Sequence, residues 1–150
     1  MIIEKATIQD NGILTEITKQ SKAYWGYSAE QILLWSDLLT ITPNYIEDNS
    51  VFKLVTDEKI IGYYAYFNVN DTIVKLDNLF LLPEFIGKGF GKLLMRHFLT
   101  RVKQSPVNNI ILDAEPNTEA FYKKFGFVTT GKLETTIKNR FLPVMELKIH

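Results

Sequence analysis

The chain has 150 residues, a length typical of one domain that buries roughly 70% of its unfolded surface. Its 17 basic and 17 acidic residues balance, so no net field would attract a nucleic acid or an anionic membrane. It has no cysteine, which excludes disulfides, thiolate metal sites and a covalent acyl-cysteine intermediate, and we expect no metal. No apolar run reaches the ~20 residues of a membrane span, and the N-terminal segment lacks the apolar core of a signal peptide. We therefore expect one soluble cytoplasmic domain over residues 1–150.

The N-terminal part predicts a strand and two helices. Residues 2–8 indicate the strand, and Asp10 is placed to cap the helix that follows it. An aromatic loop broken by Gly26 leads to residues 28–31, whose capping-box spacing predicts the second helix. That helix is apolar on much of its circumference, so it must lie against the body of the protein, a ligand or another subunit. Its apolar residues are Ile32, Leu33, Leu34, Trp35, Leu38 and Leu39.

Two hairpins come next. Residues 51–56 and 60–69 predict strands joined by a turn at residues 57–59. A second turn at residues 70–72 leads into a central strand over residues 76–82, an apolar run whose length suits one buried strand.

A glycine-rich loop follows the central strand. Pro83 lacks an N–H group and ends the strand. Gly87, Gly89 and Gly91 stand at every second position, and such spacing exposes consecutive backbone N–H groups and permits positive φ. Apolar residues recur at helical spacing from Phe90 onward. The loop therefore lies at a helix N terminus, where the macrodipole favours an anion by ~0.3–1 kcal/mol, and we predict that it binds phosphate.

Two common phosphate-binding patterns do not fit this loop. The P-loop pattern GxxxxGK[ST] fails because the segment from Gly87 to Gly91 is one residue too short and Leu93 replaces the required hydroxyl. The dinucleotide pattern GxGxxG fails because the third glycine comes two residues after Gly89 instead of three. These spacings disfavour a protein that uses the loop for ATP or NAD.

The last part of the chain predicts a strand, a short helix and two strands. Residues 108–113 indicate a buried strand, and Pro116 with Asn117 leads into a helix that Gly126 ends. Residues 127–134 and 141–149 indicate the final strands. A hairpin-rich start followed by a helical crossover implies an α+β fold with a mixed sheet.

Two stretches resemble motifs of the GNAT superfamily of acyl-CoA-dependent N-acetyltransferases. Residues 86–91, IGKGFG, are similar to its pyrophosphate-binding motif, Gln/Arg-x-x-Gly-x-Gly/Ala, and follow a Pro83-Glu84 turn; Ile86 replaces the usual Gln or Arg. Residues 117–127, NTEAFYKKFGF, resemble a second motif that ends in Gly-Phe. Because the element order also agrees, the resemblance spans essentially the whole chain. It implies the GNAT fold: six to seven mostly antiparallel strands, a splayed central strand and about four flanking helices.

The resemblance implies that the acetyl group of acetyl-CoA moves to a primary amine by direct attack in a ternary complex. Tyr122 would bind the cofactor and protonate the departing sulfur, a suitable role for a phenol; the alternative is a core aromatic. The backbone groups of Leu79 and Leu81 would pair with the pantetheine arm, and the Leu79 N–H would polarise the thioester carbonyl. The loop would bind the diphosphate through Ile86, Gly87, Lys88, Gly89, Phe90, Gly91 and Lys92.

Several roles stay open. Asn117 would contact the CoA arm, fix its loop or cap the short helix. Asp77 shares a strand face with Leu79 and would be the general base or a polar strand-end residue; the family's commonest acidic position maps to Lys75. We expect His97 to be half-buried with its hydrogen bonds satisfied.

The acceptor amine is not identified by the sequence. Its recognition is expected from the loop around residues 138–140 and from aromatic residues near the first two helices, although core packing is the alternative for Trp35. The other aromatic candidates are Tyr24, Trp25 and Tyr27. An acyl-CoA-binding module without transferase activity remains the alternative function. A homodimer through the late strands is expected by analogy only.

Overall fold

The computed structural model describes residues 1–137 and 139–149. The helices are α1 (Asn11–Tyr24), α2 (Ala29–Leu34), α3 (Ser36–Leu39), α4 (Pro43–Asp48), α5 (Phe90–Lys103) and α6 (Glu119–Lys123). The strands are β1 (Ile2–Lys5), β2 (Ser50–Thr56), β3 (Lys59–Asn68), β4 (Ile73–Leu81), β5 (Asn109–Asp113), β6 (Val128–Glu134) and β7 (Phe141–Lys148). Short 3₁₀ segments lie at Ile8–Asp10, Pro83–Phe85 and Pro116–Thr118.

The described residues form a seven-stranded mixed sheet in the order β1-β2-β3-β4-β5-β7-β6. β4 and β5 pair in parallel, whereas β1 with β2, β2 with β3, and β7 with β5 and β6 pair antiparallel. The predicted α+β fold and strand number are therefore confirmed. In the described part of the chain, no helix has the length and apolar character of a membrane span. No cluster of three or more potential metal ligands is found there either.

The chain divides into two compact units. The first contains Met1–Tyr66 and Asn78–Arg101, and the second contains Phe67–Asp77 and the described residues from Val102 onward. The core of the first unit includes Leu14, Ile17, Leu54, Ile61, Leu94 and Phe98. The core of the second unit includes Ile110, Leu112, Ala114, Phe127 and Met145. In the second unit β6 is an edge strand whose residues are all exposed.

Asp10 does not cap α1 with its side chain, so that expectation is wrong. β1 ends at Lys5, earlier than predicted, and a 3₁₀ segment follows it. The Asp10 carboxylate instead accepts hydrogen bonds from the Thr7 N–H group at 2.8 Å and from the Lys53 amino group at 2.9 Å. Its Oδ2 atom is therefore turned back toward Thr7, away from the N–H groups of α1.

The second predicted helix is divided into α2 and α3. The Ser28 hydroxyl accepts the Gln31 N–H group at 3.0 Å, which confirms the predicted start. Trp35 (φ −89°, ψ 6°) separates the two helices. The helix α4 was not predicted. Thr42 caps it by accepting the Tyr45 N–H group at 3.0 Å, and Pro43 occupies its first turn. A cap residue followed by proline is a start signal that the sequence carries.

The two predicted hairpins are present with small shifts. Asp57 and Glu58 alone form the first turn, with φ of 49° and 63°, because Lys59 already pairs with Thr56. In the second turn Asn70 Oδ1 accepts N–H groups of residues 72 and 73 at 2.9 and 3.0 Å. β4 begins at Ile73, three residues earlier than predicted, since the alternation of buried and half-buried positions already starts there.

Gly62 allows β3 and β4 to approach closely. A Cβ atom added to Gly62 would lie 2.5 Å from Leu81 Cδ2 and 2.9 Å from the Phe80 carbonyl oxygen. We expect Gly62→Ala to lower the free energy of unfolding by about 1–3 kcal/mol, because a backbone carbonyl cannot easily move aside. Urea unfolding should be compared with Gly131→Ala, whose added Cβ meets nothing within 4 Å. Equal unfolding free energies for the two variants would contradict this prediction.

Candidate functional site

The glycine loop before α5 is exposed and needs glycine for its conformation. Gly87 and Gly89 have φ of +81° and +88°, values that other residues rarely adopt, and a Cβ added to either would meet nothing within 4 Å. The first backbone hydrogen bond of α5 runs from the Leu93 N–H group to the Gly89 carbonyl oxygen at 3.2 Å. The N–H groups before Leu93 have no acceptor within the helix. The loop therefore presents backbone donors where an anion can bind.

The other predicted loop residues surround these donors. Ile86 donates its N–H to the Pro83 carbonyl at 3.2 Å. The Phe90 ring packs edge-on against the Phe85 ring, with 5.6 Å between centroids. Gly91 lies in the first turn of α5. Lys88 and Lys92 are exposed, and neither makes an ion pair with a residue in the described ranges. Both cations can therefore reach a bound anion.

β4 is paired with β5 along only its first part. The register runs from Ile73 opposite Asn109 to Lys75 opposite Ile111, and β4 then continues to Leu81. Within the second unit the pairing therefore stops before Leu76 and Asp77 of β4. The splayed central strand stays a prediction.

The alternation of backbone groups decides which residues of β4 face away from β3. The Leu82 N–H group donates to the Ile61 carbonyl of β3 at 2.8 Å. In an extended chain beside an antiparallel partner, alternate residues point their N–H and C=O groups to opposite edges. Leu79 and Leu81 therefore direct their backbone groups away from β3. The Leu79 side chain is half-buried and that of Leu81 is buried.

The polar residues of β4 have separate surroundings. Asp77 is exposed. Lys75 forms an ion pair with Asp113 at 2.9 Å within the second unit. In the first unit the Asn78 amide donates to the Tyr45 hydroxyl at 2.9 Å. The sequence analysis missed this pair because Tyr45 lies on the unpredicted α4; the polar Asn78 inside an apolar strand was the available signal.

Tyr122 has an unengaged hydroxyl at the end of a buried ring. The residue is 8% exposed and its ring meets those of Phe121 and Phe127 edge-on, 5.1 and 5.8 Å between centroids. Burial raises the pKa of Tyr122, so the phenol stays protonated at neutral pH. Among the described residues, the Tyr122 hydroxyl has no hydrogen-bond partner. Every fully buried side-chain N or O atom in this part of the chain does have a partner. The hydroxyl must therefore reach the accessible surface, where it can donate a proton.

Asn117 lies in the 3₁₀ segment before α6 and does not cap the helix. Thr118 occupies the N-cap position, so the capping alternative for Asn117 is wrong. The Asn117 amide donates to Glu115 Oε1 at 3.4 Å, and the Arg140 guanidinium donates to Glu115 Oε2 at 2.9 Å. Asn117 and Arg140 thus share one carboxylate. Lys138, which the sequence analysis placed in the acceptor loop, lies outside the described residues.

An aromatic cluster stands beside β4 in the first unit. The Lys22 amino group lies 5.8 Å from the Tyr27 ring centroid and 5.7 Å from that of Phe80. The Tyr27 ring meets the half-buried Trp35 ring at 5.0 Å. Tyr24, which is 50% exposed, packs edge-on against its neighbour Trp25 at 4.9 Å. These are the aromatic residues that the sequence associates with the acceptor.

His97 is half-buried and hydrogen-bonded, as expected. Its Nδ1 atom lies 2.7 Å from the Tyr64 hydroxyl. Burial, with a smaller contribution from the Arg101 guanidinium, holds the pKa of His97 below its ordinary value of 6.5. This pair belongs to the packing between β3 and α5.

His97 should make the protein less stable in mild acid. As the pH falls below about 6.5, the unfolded chain binds a proton at His97 before the folded protein does, so the free energy of unfolding decreases. The decrease continues until the pH passes the lower pKa of the folded state. The free energy of unfolding in urea should decrease less between pH 7.5 and pH 5.5 for His97→Gln than for the parent protein. An identical loss in both proteins would contradict this role.

The predicted site residues fall in both units. Leu79, Leu81 and residues 86–92 belong to the first unit, whereas Asp77, Asn117 and Tyr122 belong to the second. In the first unit the end of β4 and the exposed loop are separated by one 3₁₀ segment, Pro83–Phe85. A strand that directs backbone groups away from β3 is thus followed directly by donors for an anion.

Comparisons with known proteins identify the family. Residues 10–148 match the model of the acetyltransferase (GNAT) domain. "Peptidyl-lysine N-acetyltransferase YjaB" of Salmonella typhimurium is 33% identical over 124 residues, which cover 81% of this chain and 74% of that protein. "Uncharacterized N-acetyltransferase ycf52" of Pyropia yezoensis is 29% identical over 76 residues, 51% of this chain. The matched part of this chain spans only 44% of that relative's length.

The fold also agrees with solved structures. The PaiA N-acetyltransferase of Thermoplasma acidophilum, in complex with coenzyme A, superposes with a TM-score of 0.82 at 22% identity, covering 99% of this chain and 98% of the other. The match of the family model over nearly the whole chain establishes that this chain belongs to the GNAT acetyltransferase family.

Proposed function

We propose that the chain is an acetyl-CoA-dependent N-acetyltransferase that transfers the acetyl group to a primary amine by direct attack. The observation that carries the proposal is the pair of backbone positions Leu79 and Leu81, which face away from β3, followed by the exposed N–H groups of the glycine loop. An extended pantetheine arm can pair with such backbone groups as a further strand. The glycine loop then lies at the other end of the arm, where its N–H groups can donate hydrogen bonds to the diphosphate.

The loop residues and β4 bind and orient the cosubstrate. The N–H groups at Gly87 to Gly91 bind the diphosphate, with Lys88 and Lys92 neutralising part of its charge. Ile86 lacks the polar side chain usual in the family, and its N–H group is already bonded to the Pro83 carbonyl, so its part is to shape the start of the loop. The Leu79 N–H donates to the thioester oxygen, and the bond strengthens as negative charge develops on that oxygen during attack.

The acceptor must lose a proton before it attacks. A lysine-type amine has a pKa of about 10.4 and is almost wholly protonated at neutral pH. Asp77, exposed on β4, is our candidate to accept this proton, directly or through water. The neutral amine then forms the new C–N bond, the C–S bond breaks, and the sulfur takes the Tyr122 hydroxyl proton. Asn117 holds the loop before α6 through Glu115.

Location, domain organisation and partners complete the proposal. We place the activity in the cytoplasm, where acetyl-CoA is available, and we treat residues 1–150 as one domain without a nucleic-acid or membrane partner. The homodimer through the late strands remains a prediction, and the exposed edge strand β6 is the surface that would serve it.

A CoA-release assay over an amine panel tests the function. The panel should contain a polyamine, an amino sugar, an amino acid, a peptide N terminus and a peptide lysine. The peptide lysine should be tested first, because one relative is named a peptidyl-lysine N-acetyltransferase. We expect release of CoA that depends on one amine class. Binding of CoA without transfer to any amine would favour the binding module instead. Stabilisation by ATP or NAD but not by acetyl-CoA in a thermal-shift comparison would reject both.

A further inference from the structure

Three leucines on α2 and α3 point away from the first unit. Exposed positions recur in pairs along these helices, at residues 29–30, 33–34 and 37–38, which places them on one helical side. On that side Leu33, Leu34 and Leu38 are 74%, 78% and 82% exposed. We name these three residues the leucine face. Contiguous exposed apolar side chains mark interaction sites more often than isolated ones do.

The opposite side of the same helices is already packed. Leu39 is buried, and the Trp35 ring meets the Tyr27 ring at 5.0 Å. The Ser36 hydroxyl accepts a hydrogen bond from the Lys19 amino group of α1 at 3.3 Å. These contacts fix the orientation of the helices, so the leucine face is an outward surface of the folded unit.

Two carboxylates lie beside the leucine face. Between Lys22 and Lys53 the sequence contains four acidic residues and no basic one, although the whole chain is balanced. Glu30 lies three and four residues before Leu33 and Leu34, and Asp37 directly precedes Leu38. Both carboxylates are exposed on the same side of the helices. Such a surface complements a segment that carries apolar and basic side chains.

A short series of contacts connects this surface to β4. Trp35 contacts Tyr27, and the Lys22 amino group lies over the Tyr27 and Phe80 rings. Phe80 directly follows Leu79, whose N–H is proposed to bind the thioester. These contacts therefore link the helices that carry the leucine face to the strand that carries Leu79.

We propose that the leucine face binds the polypeptide that carries the acceptor amine, a basic segment with apolar side chains next to a lysine. This inference rests on the proposed transferase function. A second copy of the chain fits less well, because an interface between two copies of the same face would bring their acidic borders together.

The test uses a blocked peptide with one lysine between leucines and arginines, a matched peptide with serines in place of the leucines, and N-acetyl-lysine methylamide. We expect Leu34→Ser combined with Leu38→Ser to lower kcat/KM for the leucine peptide about tenfold or more, mainly by raising KM. Turnover of the small amine should not change. Val128→Ser, at a position 60% exposed on β6, is the control and should leave both reactions unchanged.

A binding measurement separates this inference from the catalytic proposal. Fluorescence anisotropy with a labelled peptide that has arginine in place of the lysine needs no turnover. Glu30→Lys combined with Asp37→Lys should weaken binding, whereas Asp71→Lys, at an exposed turn, should not. If no amine is acetylated but the leucine variant binds the labelled peptide more weakly than the parent, the proposed transferase function is wrong and the proposed peptide-binding surface is supported.

Three results would overturn the inference. In the first, the leucine variant binds and acetylates the leucine peptide as the parent does. In the second, the parent binds the serine peptide as tightly as the leucine peptide. In the third, light scattering would show a parent dimer that the leucine substitutions dissociate, and the face would then belong to a second copy.

Discussion

Tyr122→Phe should reduce kcat by about a hundredfold while the KM for acetyl-CoA stays within a few-fold of the parent. A positioned general acid typically accelerates a reaction by ~10²–10⁴-fold. The leaving thiolate is a weak base, because its thiol has a pKa near that of cysteine, about 8.5. We therefore expect a loss of rate at the low end of this range. The substitution removes one oxygen that bonds to no described residue, so the fold should be unaffected. Steady-state CoA release at saturating amine gives both parameters.

Tyr66→Phe is the matched control for this measurement. Tyr66 has the same 8% exposure as Tyr122, and its hydroxyl makes a long 3.4 Å contact with Arg101. Its variant should keep the parent turnover. If Tyr122→Phe also turned over at the parent rate, Tyr122 would be a core aromatic and the leaving sulfur would be protonated by another group.

Gly87→Ala combined with Gly89→Ala should raise the Kd for CoA by about a hundredfold. Both positions have positive φ, and forcing a Cβ into such a conformation costs about 1–2 kcal/mol at each. Relaxing this strain would turn the N–H groups away from the diphosphate, and ~1.4 kcal/mol corresponds to a factor of ten in affinity. Isothermal titration with CoA measures the change without any acceptor.

Gly12→Ala is the control for the loop variant. Gly12 lies in α1, is not a positive-φ glycine, and an added Cβ there meets nothing within 4 Å. It should leave the Kd unchanged and stabilise the helix slightly, since alanine exceeds glycine by roughly 0.5–1 kcal/mol in helix interiors. An unchanged Kd in the loop variant would mean that the glycines serve the fold and not the cosubstrate.

The sequence predicted the elements whose signals are local. The apolar spacing after Phe90 predicted α5, and closely spaced glycines predicted the positive φ observed at Gly87 and Gly89. Gly91 adopts no such conformation because it already belongs to the helix.

Other features depend on contacts that a linear pattern does not contain. Asp10 turns toward Thr7 and Lys53, and the latter stands on β2, more than forty residues away. Leu33, Leu34 and Leu38 are exposed, and the sequence pattern alone left open whether the body of the protein, a ligand or another subunit covers this apolar helix. The Asn78–Tyr45 pair joins β4 to a helix that was not predicted.

The most direct test of the central claim is a titration of ¹⁵N-labelled protein with CoA, followed by amide NMR spectra. The claim is that backbone N–H groups of the glycine loop and of Leu79 make the principal hydrogen bonds to the cosubstrate. It predicts the largest shift changes at Gly87, Gly89, Gly91 and Leu79, with smaller changes at residues remote from β4 and α5. Large changes elsewhere, with these four amides unmoved at saturating CoA, would contradict it.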